Sequence, residues 1–274
     1  ARRRRTCSNR VYNRGRIMGF HNGLNVVSDS LIFSFDAGNV KCTDSDNEVT
    51  SMRDSAIVSH SSRGDRGITG AGTTASFSFP TDTGAVKTID LGITGRNANT
   101  DATNFDNRLQ LDDGIIFADE DAWSCEFWAK PRSNAVTTFQ SLAGKGTTRP
   151  WIIWQMSGTN SWYPRFRDND SNYYDSGTDI STGNKEWHQV VFTATTGRVL
   201  TFYVDGVQTG NTVTISDSEL TINRIMAGYS SGISKYGFMG SMLCARIYSK
   251  TLSAAEILQN FNATRGRVGI WSMK

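Results

Sequence analysis

Proline and cysteine are scarce, four of each in 274 residues. So few prolines exclude a Pro-rich disordered chain, and four cysteines in this length do not make a disulfide framework. Cys7, Cys42, Cys125 and Cys244 form no CxxC and fit no zinc spacing. Cys125 and Cys244 sit in apolar runs and read as small buried hydrophobes, while Cys7 and Cys42 could pair. The three histidines, His21, His60 and His188, stand near no Cys or carboxylate at a spacing that suits nucleophilic or metal chemistry. There is no phosphate loop. No apolar run approaches the roughly 20 residues that span a bilayer, and no apolar stretch follows the N-terminal arginines, so neither a membrane span nor a signal peptide is expected.

Acid is missing from the first 20 residues, which carry Arg2, Arg3, Arg4, Arg5, Arg10, Arg14 and Arg16 and no lysine. The rest of the chain holds 22 basic and 26 acidic residues, so a basic arm is joined to a mildly acidic body. Residues 1–28 are read as the arm and 29–274 as one folded domain. Seven arginines repel one another and build no core, so the arm needs a partner of opposite charge. A body of this sign is a poor nucleic-acid binder. Arginine suits bidentate pairing with carboxylates, and the Asn, Gly, Tyr12 and Phe20 interleaved in the arm suit a shaped protein groove. The expected partner is therefore protein.

What is abundant is alternation. Leu31, Phe33 and Phe35 share one face of a strand that stops at the turn composition Asp36-Ala-Gly-Asn39. Trp123, Cys125, Phe127 and Ala129 share a face, with Trp128 on the other. Trp151–Met156 and Trp162–Arg167 read as two more strands. Strands around Phe192 and Phe202 are joined by Thr195-Thr-Gly197, and Asp205-Gly206 makes a further tight turn. Asp113-Gly114 is read as a hairpin between Arg108–Asp112 and Ile115–Phe117. One helix is expected, with Ser253 as N-cap, Glu256 completing a capping box, and Leu252 with Ile257 as the hydrophobic staple. Ten or more short strands and one C-terminal helix make the fold all-β, a two-sheet antiparallel jelly-roll sandwich with an extended basic N-terminal arm.

Three stretches together carry a family resemblance. Trp123-Ser-Cys-Glu-Phe-Trp-Ala-Lys-Pro131 resembles a strand of laminin G-like, concanavalin A-like jelly rolls. Trp187-His-Gln-Val-Val-Phe-Thr193 through Phe202-Tyr-Val-Asp-Gly206 resembles their central hairpin. Gly237 to Tyr248, followed by Leu252-Ser-Ala-Ala-Glu-Ile257, is similar to their ending. The ends, Leu31-Ile-Phe-Ser-Phe-Asp-Ala-Gly-Asn39 and Leu258-Gln-Asn-Phe-Asn-Ala-Thr-Arg-Gly-Arg267, resemble laminin G-like proteins in the virions of tailed, especially marine, bacteriophages. The resemblance implies a non-enzymatic structural protein on the virion surface, a head decoration protein or a tail or fibre component. The arm lies outside that family pattern, and it is its own charge that makes it the expected anchor to capsid or tail subunits, with the protein homo-oligomeric in the particle. Ala1 fits removal of an initiator Met. The alternative is a carbohydrate-binding adhesin or lectin-like module that takes host-surface glycans.

Catalysis is not expected. Glycosidases of this fold resemble one another in an E-x-D-x-x-E strand, whose paired carboxylates act as nucleophile and acid. That triplet is absent, and Asp119, Glu120, Asp121 and Glu126 have the wrong spacing. No cofactor is expected. For calcium, which many laminin G-like domains bind, Asp168, Asp170 and Asn172 offer alternating oxygen ligands. Against it, Tyr173 stands where a calcium loop of the EF-hand kind needs Gly, and Asp179 where it needs Glu. For a sugar, Trp151, Trp154, Trp162, Tyr163, Tyr173 and Tyr174 crowd one region with Arg165, Asp168 and Asn169 nearby, aromatic faces beside fixed polar groups; the alternative is that the alternating tryptophans line the core. Tyr173 and Tyr174 are expected to be exposed, because they are read as lying in a polar loop.

Overall fold

The structure, a computed structural model, describes residues 25–37, 108–131, 139–145, 149–157, 161–177, 186–227, 238 and 240–269, with five short strands between residues 52 and 90. Residues 1–24 of the basic arm, with its seven arginines and Cys7, lie outside the described residues, as does Cys42. In chain order the strands are β1 (Leu31–Asp36), β2 (Met52–Arg53), β3 (Gly67–Ala71), β4 (Thr81–Asp82), β5 (Val86–Lys87), β6 (Ile89–Asp90), β7 (Arg108–Phe117), β8 (Trp123–Pro131) and β9 (Phe139–Gly144). They continue with β10 (Trp151–Ser157), β11 (Ser161–Arg167), β12 (Tyr173–Asp175), β13 (His188–Ala194), β14 (Val199–Val204), β15 (Val207–Gln208), β16 (Val213–Thr214), β17 (Leu220–Ile225) and β18 (Gly240–Tyr248). Helix α1 (Ala254–Arg265) and a 3₁₀ turn, Gly266–Val268, follow.

Antiparallel pairing builds two sheets. Sheet A runs β1-β18-β8-β13-β14-β15, with β16 beside β14 and β6 beside β18. Sheet B runs β12-β11-β10-β9-β17-β7-β3-β2, and β4 with β5 forms a separate ribbon. Period-2 alternation turns Trp123, Cys125, Phe127, Phe192, Leu200 and Phe202 of sheet A inward. They meet Leu109, Ile115, Ile152, Phe166 and Ile222 of sheet B in one core. The Trp123 and Phe166 rings meet across the two sheets, 5.7 Å apart. Each such ring, fully buried, stabilises by about 1.5–3 kcal/mol. This is the sandwich that the alternation predicts. Cys125 and Cys244 are both buried, and burial pushes both thiols up, that of Cys244 to about 12. They are packing residues, as expected.

The outer face of sheet A is covered. Trp128, turned away from the core, stacks on Phe261 of α1 at 5.6 Å and 8°. Ile257 of α1 packs with Val191, Tyr203, Tyr248 and Leu252, which brings the expected staple pair together. The capping box forms: Ser253 Oγ accepts from the Glu256 N–H, and Glu256 accepts from the Ser253 N–H. Among the described residues no helix is long and apolar enough to cross a membrane.

The two turns around β14 form as expected. Arg198 N–H donates to the Thr195 carbonyl at 3.0 Å, and Asp205 and Gly206 carry φ of 52° and 81° between the paired Val204 and Val207. Asp113-Gly114 does not turn the chain back, which corrects the sequence reading. β7 continues in the same direction past it, with Gln110 paired to Arg224 and Ile115 to Ile222 of the same β17. The extra residues of β7 form a bulge, because one continuous partner strand holds both halves.

Candidate functional site

The site is built on one edge of sheet B. β10 and β11 form a hairpin that pairs Trp151 with Arg167, Ile153 with Arg165 and Gln155 with Tyr163. β12 adds the edge strand, pairing Arg167 with Tyr173, Phe166 with Tyr174 and Arg165 with Asp175. Phe166 is in the core, so alternation sends Tyr163, Arg165, Arg167, Tyr173 and Asp175 to the outer face. Five side chains of two adjacent strands thus share one surface.

They are interlocked. The Arg167 guanidinium lies 4.8 Å from the ring of Trp151, which is buried beneath it, and 4.5 Å from the ring of Tyr173. The Arg165 guanidinium lies 5.1 Å from Tyr173 and 5.2 Å from Tyr163, and it donates to Asp175 at 2.7 Å. Each cation–π contact stabilises by about 0.5–1 kcal/mol at an exposed site, and together they fix the rings in place. Tyr173 is 38% exposed, so part of its ring meets solvent. The product is an aromatic surface flanked by guanidinium donors and one carboxylate.

Of the residues read from the sequence, Tyr163, Arg165 and Tyr173 come together here. Trp162 pairs with Met156 at the far end of the hairpin. Tyr174 is not exposed as expected. It lies on a strand, not in a loop, so alternation turns it inward, where it packs against the core. Its hydroxyl donates to Asp168 Oδ2 at 3.0 Å. Trp151, also among the aromatics read from the sequence, lies beneath them, and Arg167 and Asp175 complete the surface; the signal for those two was the alternate spacing of 163, 165 and 167 facing 173 and 175.

Asp168 anchors the turn between β11 and β12. It is fully buried, and its Oδ1 accepts from the Asn172 N–H at 2.8 Å. Its Oδ2 accepts from Asn172 Nδ2 at 3.2 Å, Tyr174 at 3.0 Å and Ser216 Oγ at 2.8 Å. Asp170 lies at the rim, 3.5 Å from the same hydroxyl. Donors fill the Asp168 carboxylate, so in this geometry it is the hub of the turn and not an open oxygen ligand for calcium. Among the described residues no three His, Cys, Asp or Glu side chains converge as a metal set.

The other acids have structural partners. Asp119 accepts from the Ser218 backbone N–H at 2.9 Å and pairs with Arg198, and these contacts hold its carboxyl below its usual range. Glu126 faces α1, away from the core. It accepts from Arg246 at 2.8 Å, Asn260 at 2.7 Å and Gln189 at 3.0 Å. His188 does have a carboxylate partner, against the sequence reading. The hairpin register brings Asp205 Oδ2 to 2.8 Å from its Nδ1, a fold-back that linear spacing hides. Asp205 Oδ1 also accepts from the Gln189 N–H, so the pair clamps the tight turn.

A groove of about 470 Å³ opens at one end of the sandwich beside Ile32, Ile115, Ile116, Phe117, Asp121 and Ser249. Its one charged wall residue, Asp121, already accepts from the Ala118 N–H. It offers no aromatic and polar pairing like that around Tyr173.

A family profile, that of the concanavalin A-like lectin/glucanases superfamily, matches residues 97–258. The fold is similar to domain 4 of AbnA, a GH43 extracellular arabinanase from Geobacillus stearothermophilus, solved in complex with arabinotriose. The TM-score is 0.56 at 16% identity, over 85% of this chain and 98% of that one. It is similar to the ligand binding domain of botulinum neurotoxin serotype D, solved in complex with N-acetylneuraminic acid, with a TM-score of 0.53 at 13% identity over 86% and 51%. It is also similar to the binding domain of Paraclostridial mosquitocidal protein 1, with a TM-score of 0.51 at 16% identity over 86% and 52%. The chain thus spans about half the length of the two toxin domains. At these identities the likeness is one of fold. No curated protein matches the sequence.

Proposed function

The chain belongs to the concanavalin A-like lectin/glucanases superfamily, and from that premise we propose that its sandwich is a non-catalytic carbohydrate-binding module whose sugar face is the surface around Tyr173. The observation that carries this reading is the Tyr163–Arg165–Tyr173–Arg167 array over Trp151. A pyranose or furanose ring lays its C–H face on an aromatic ring while its hydroxyls take hydrogen bonds from fixed side chains. Guanidinium N–H groups donate and the Asp175 carboxylate accepts, so both hydroxyl roles can be met. Two proteins of the same fold, the arabinanase domain and the serotype D toxin domain, were solved with sugars bound, which supports the reading. Hydrolysis is not part of it, because Asp119 and Glu126 have structural partners and, among the described residues, no paired carboxylates face an open cleft.

The setting that goes with this reading is the surface of a tailed-phage particle, where the arm would hold the module to capsid or tail subunits. Its support is the resemblance of residues 31–39 and 258–267 to virion laminin G-like proteins.

A glycan array probed with the full chain tests the sugar face. Binding to a defined glycan group, lost in Tyr173→Ala and in Arg167→Ala, is the expected result. A blank array, or binding untouched by both substitutions, overturns the reading. Proteomic analysis of purified phage particles tests the setting, and the chain's absence from every particle preparation would remove it.

A further inference from the structure

Edge strand β12 is short. Three ladder pairs, Arg165–Asp175, Phe166–Tyr174 and Arg167–Tyr173, join it to β11, and the Ser176 N–H adds a bond to the Pro164 carbonyl at 3.3 Å. It nevertheless carries Tyr173, which touches both guanidinium groups of the sugar face, and Asp175, which accepts from one of them. A strand with so few pairs needs a second hold to keep these side chains in place.

That hold comes from the other sheet. β15 and β16 both lie along β14, at the edge of sheet A. Tyr203 and Leu200 of β14 are three steps apart, whereas their partners Gln208 and Val213 are five apart. The two extra residues leave the ladder as a bulge. Gly210 lies in this bulge with φ of 68°, a left-handed conformation that favours glycine. Its backbone is pressed against Ser176, the buried residue that follows β12. A Cβ on Gly210 would overlap the Ser176 carbonyl oxygen and lie 2.6 Å from the carbonyl carbon, closer than side chains come to backbone. Past β16 the same segment meets β12 again. The Ser216 N–H donates to the Tyr174 hydroxyl at 3.1 Å, and Ser216 Oγ donates to Asp168 Oδ2 at 2.8 Å.

Gly177, on the other side of Ser176, separates two reasons for a glycine. Its φ of 64° is the same conformation, but a Cβ on it would meet nothing within 4 Å. Conformation favours glycine at both positions, whereas close approach of another backbone requires it at 210 alone.

We infer that Gly210 is a positioning residue of the sugar face. The β15–β16 bulge of sheet A fixes the edge of sheet B on which Tyr173 and Asp175 stand, so both sheets set the geometry of the face. A side chain at 210 has to push Ser176 away, and Asp175 and Tyr173 move with their strand off the guanidinium groups that they meet. This rests on the carbohydrate-binding reading only for what the positioned side chains bind.

The experiment uses the full chain labelled with 3-fluorotyrosine. The Tyr173 and Tyr248 fluorine resonances are assigned by their loss in Tyr173→Phe and Tyr248→Phe. Asn tolerates positive φ better than most side chains, so Gly210→Asn and Gly177→Asn match in conformation and differ in the clash. Gly210→Asn should move the Tyr173 resonance and leave that of Tyr248, buried in the cluster with Ile257 of α1, in place. Gly177→Asn should move Tyr173 far less. Ser216→Ala, which removes one hydroxyl and keeps the backbone contact, should move it by a smaller amount, and it decides the matter if Gly210→Asn does not fold. A Tyr173 resonance unmoved in Gly210→Asn, or in Ser216→Ala where only that variant folds, overturns the inference. So does an equal shift in Gly177→Asn, or a shift of Tyr248 as large as that of Tyr173. With a glycan in hand from the array, Gly210→Asn should lower its affinity roughly tenfold, and full affinity in a folded Gly210→Asn counts against the inference in the same way. A blank array removes the sugar reading and leaves the resonance test of the bulge standing.

Discussion

The two outer faces of the sandwich take similar side chains to opposite ends. On sheet A, Trp128 stacks on Phe261 and Arg246 is sealed with Glu126 beneath α1, both nearly inaccessible. On sheet B, an aromatic and an ion pair also stand together, the Tyr173 ring against Arg165 and Arg165 against Asp175, with no helix above them among the described residues. A cover decides the difference. Under α1, an aromatic and an ion pair become packing and a buried polar network. Left open, they become a surface that can meet a ligand. Residue type alone does not separate function from structure in this chain, whereas the element that packs above the residue does.

Removing a partner on each face is the sharpest way to break this comparison. Glu126→Ala leaves the Arg246 charge buried without its carboxylate, which costs about 3–5 kcal/mol. In a domain of this size that lowers the melting point by ~10 °C. Thermal unfolding followed by circular dichroism checks it. A loss as small as that of a surface mutation would mean that the sheet A face is not sealed.

A smaller effect is expected at the cap. Ser253→Ala should cost about 1 kcal/mol and speed hydrogen exchange across residues 254–262. The same corner responds to pH. Burial raises the Glu256 carboxyl, but the hydrogen bonds from Lys250 and Ser253 outweigh it and hold Glu256 below its ordinary 4.5. Its stabilisation is full above that value and is lost as pH falls through the lower folded value. Wild type should therefore lose melting temperature in acid more steeply than Glu256→Gln, and parallel curves would show that the cap carries no such dependence.

Of similar size, Tyr173→Ala gives up two exposed cation–π contacts and should cost about 1 kcal/mol. A melting point depressed as far as that of Glu126→Ala would make the open face structural after all. Exchanging calcium for a chelator should leave the melting point unmoved, because protein donors already fill Asp168. A clear rise with calcium would show that the turn opens to take the ion.

Local rules made much of this readable. Alternation in β8 and β13, the Asp205-Gly206 turn and the Ser253–Glu256 box each depend on a few neighbouring residues, and each formed as read. The misreadings came from partners distant in sequence. Asp113-Gly114 has hairpin composition, but pairing of both halves of β7 with β17 makes it a bulge and not a reversal. Tyr174 follows a polar loop, but pairing with Phe166 makes it strand and turns it inward. Glu126 and Arg246 meet across 120 residues, and His188 and Asp205 across 17, through registers that no spacing rule contains. Tyr163, Arg165 and Tyr173 were legible as a cluster of aromatics. Arg167 and Asp175 needed the pairing of β11 with β12 to show which face they share.

The central claim, that ligand meets the open face of sheet B, is tested most directly by hydrogen–deuterium exchange of the full chain with and without the strongest glycan from the array. The account predicts slowed exchange across residues 161–177 and no change across 254–269. Protection confined to 254–269, or to the groove beside Ile116, with 161–177 unchanged, would contradict it.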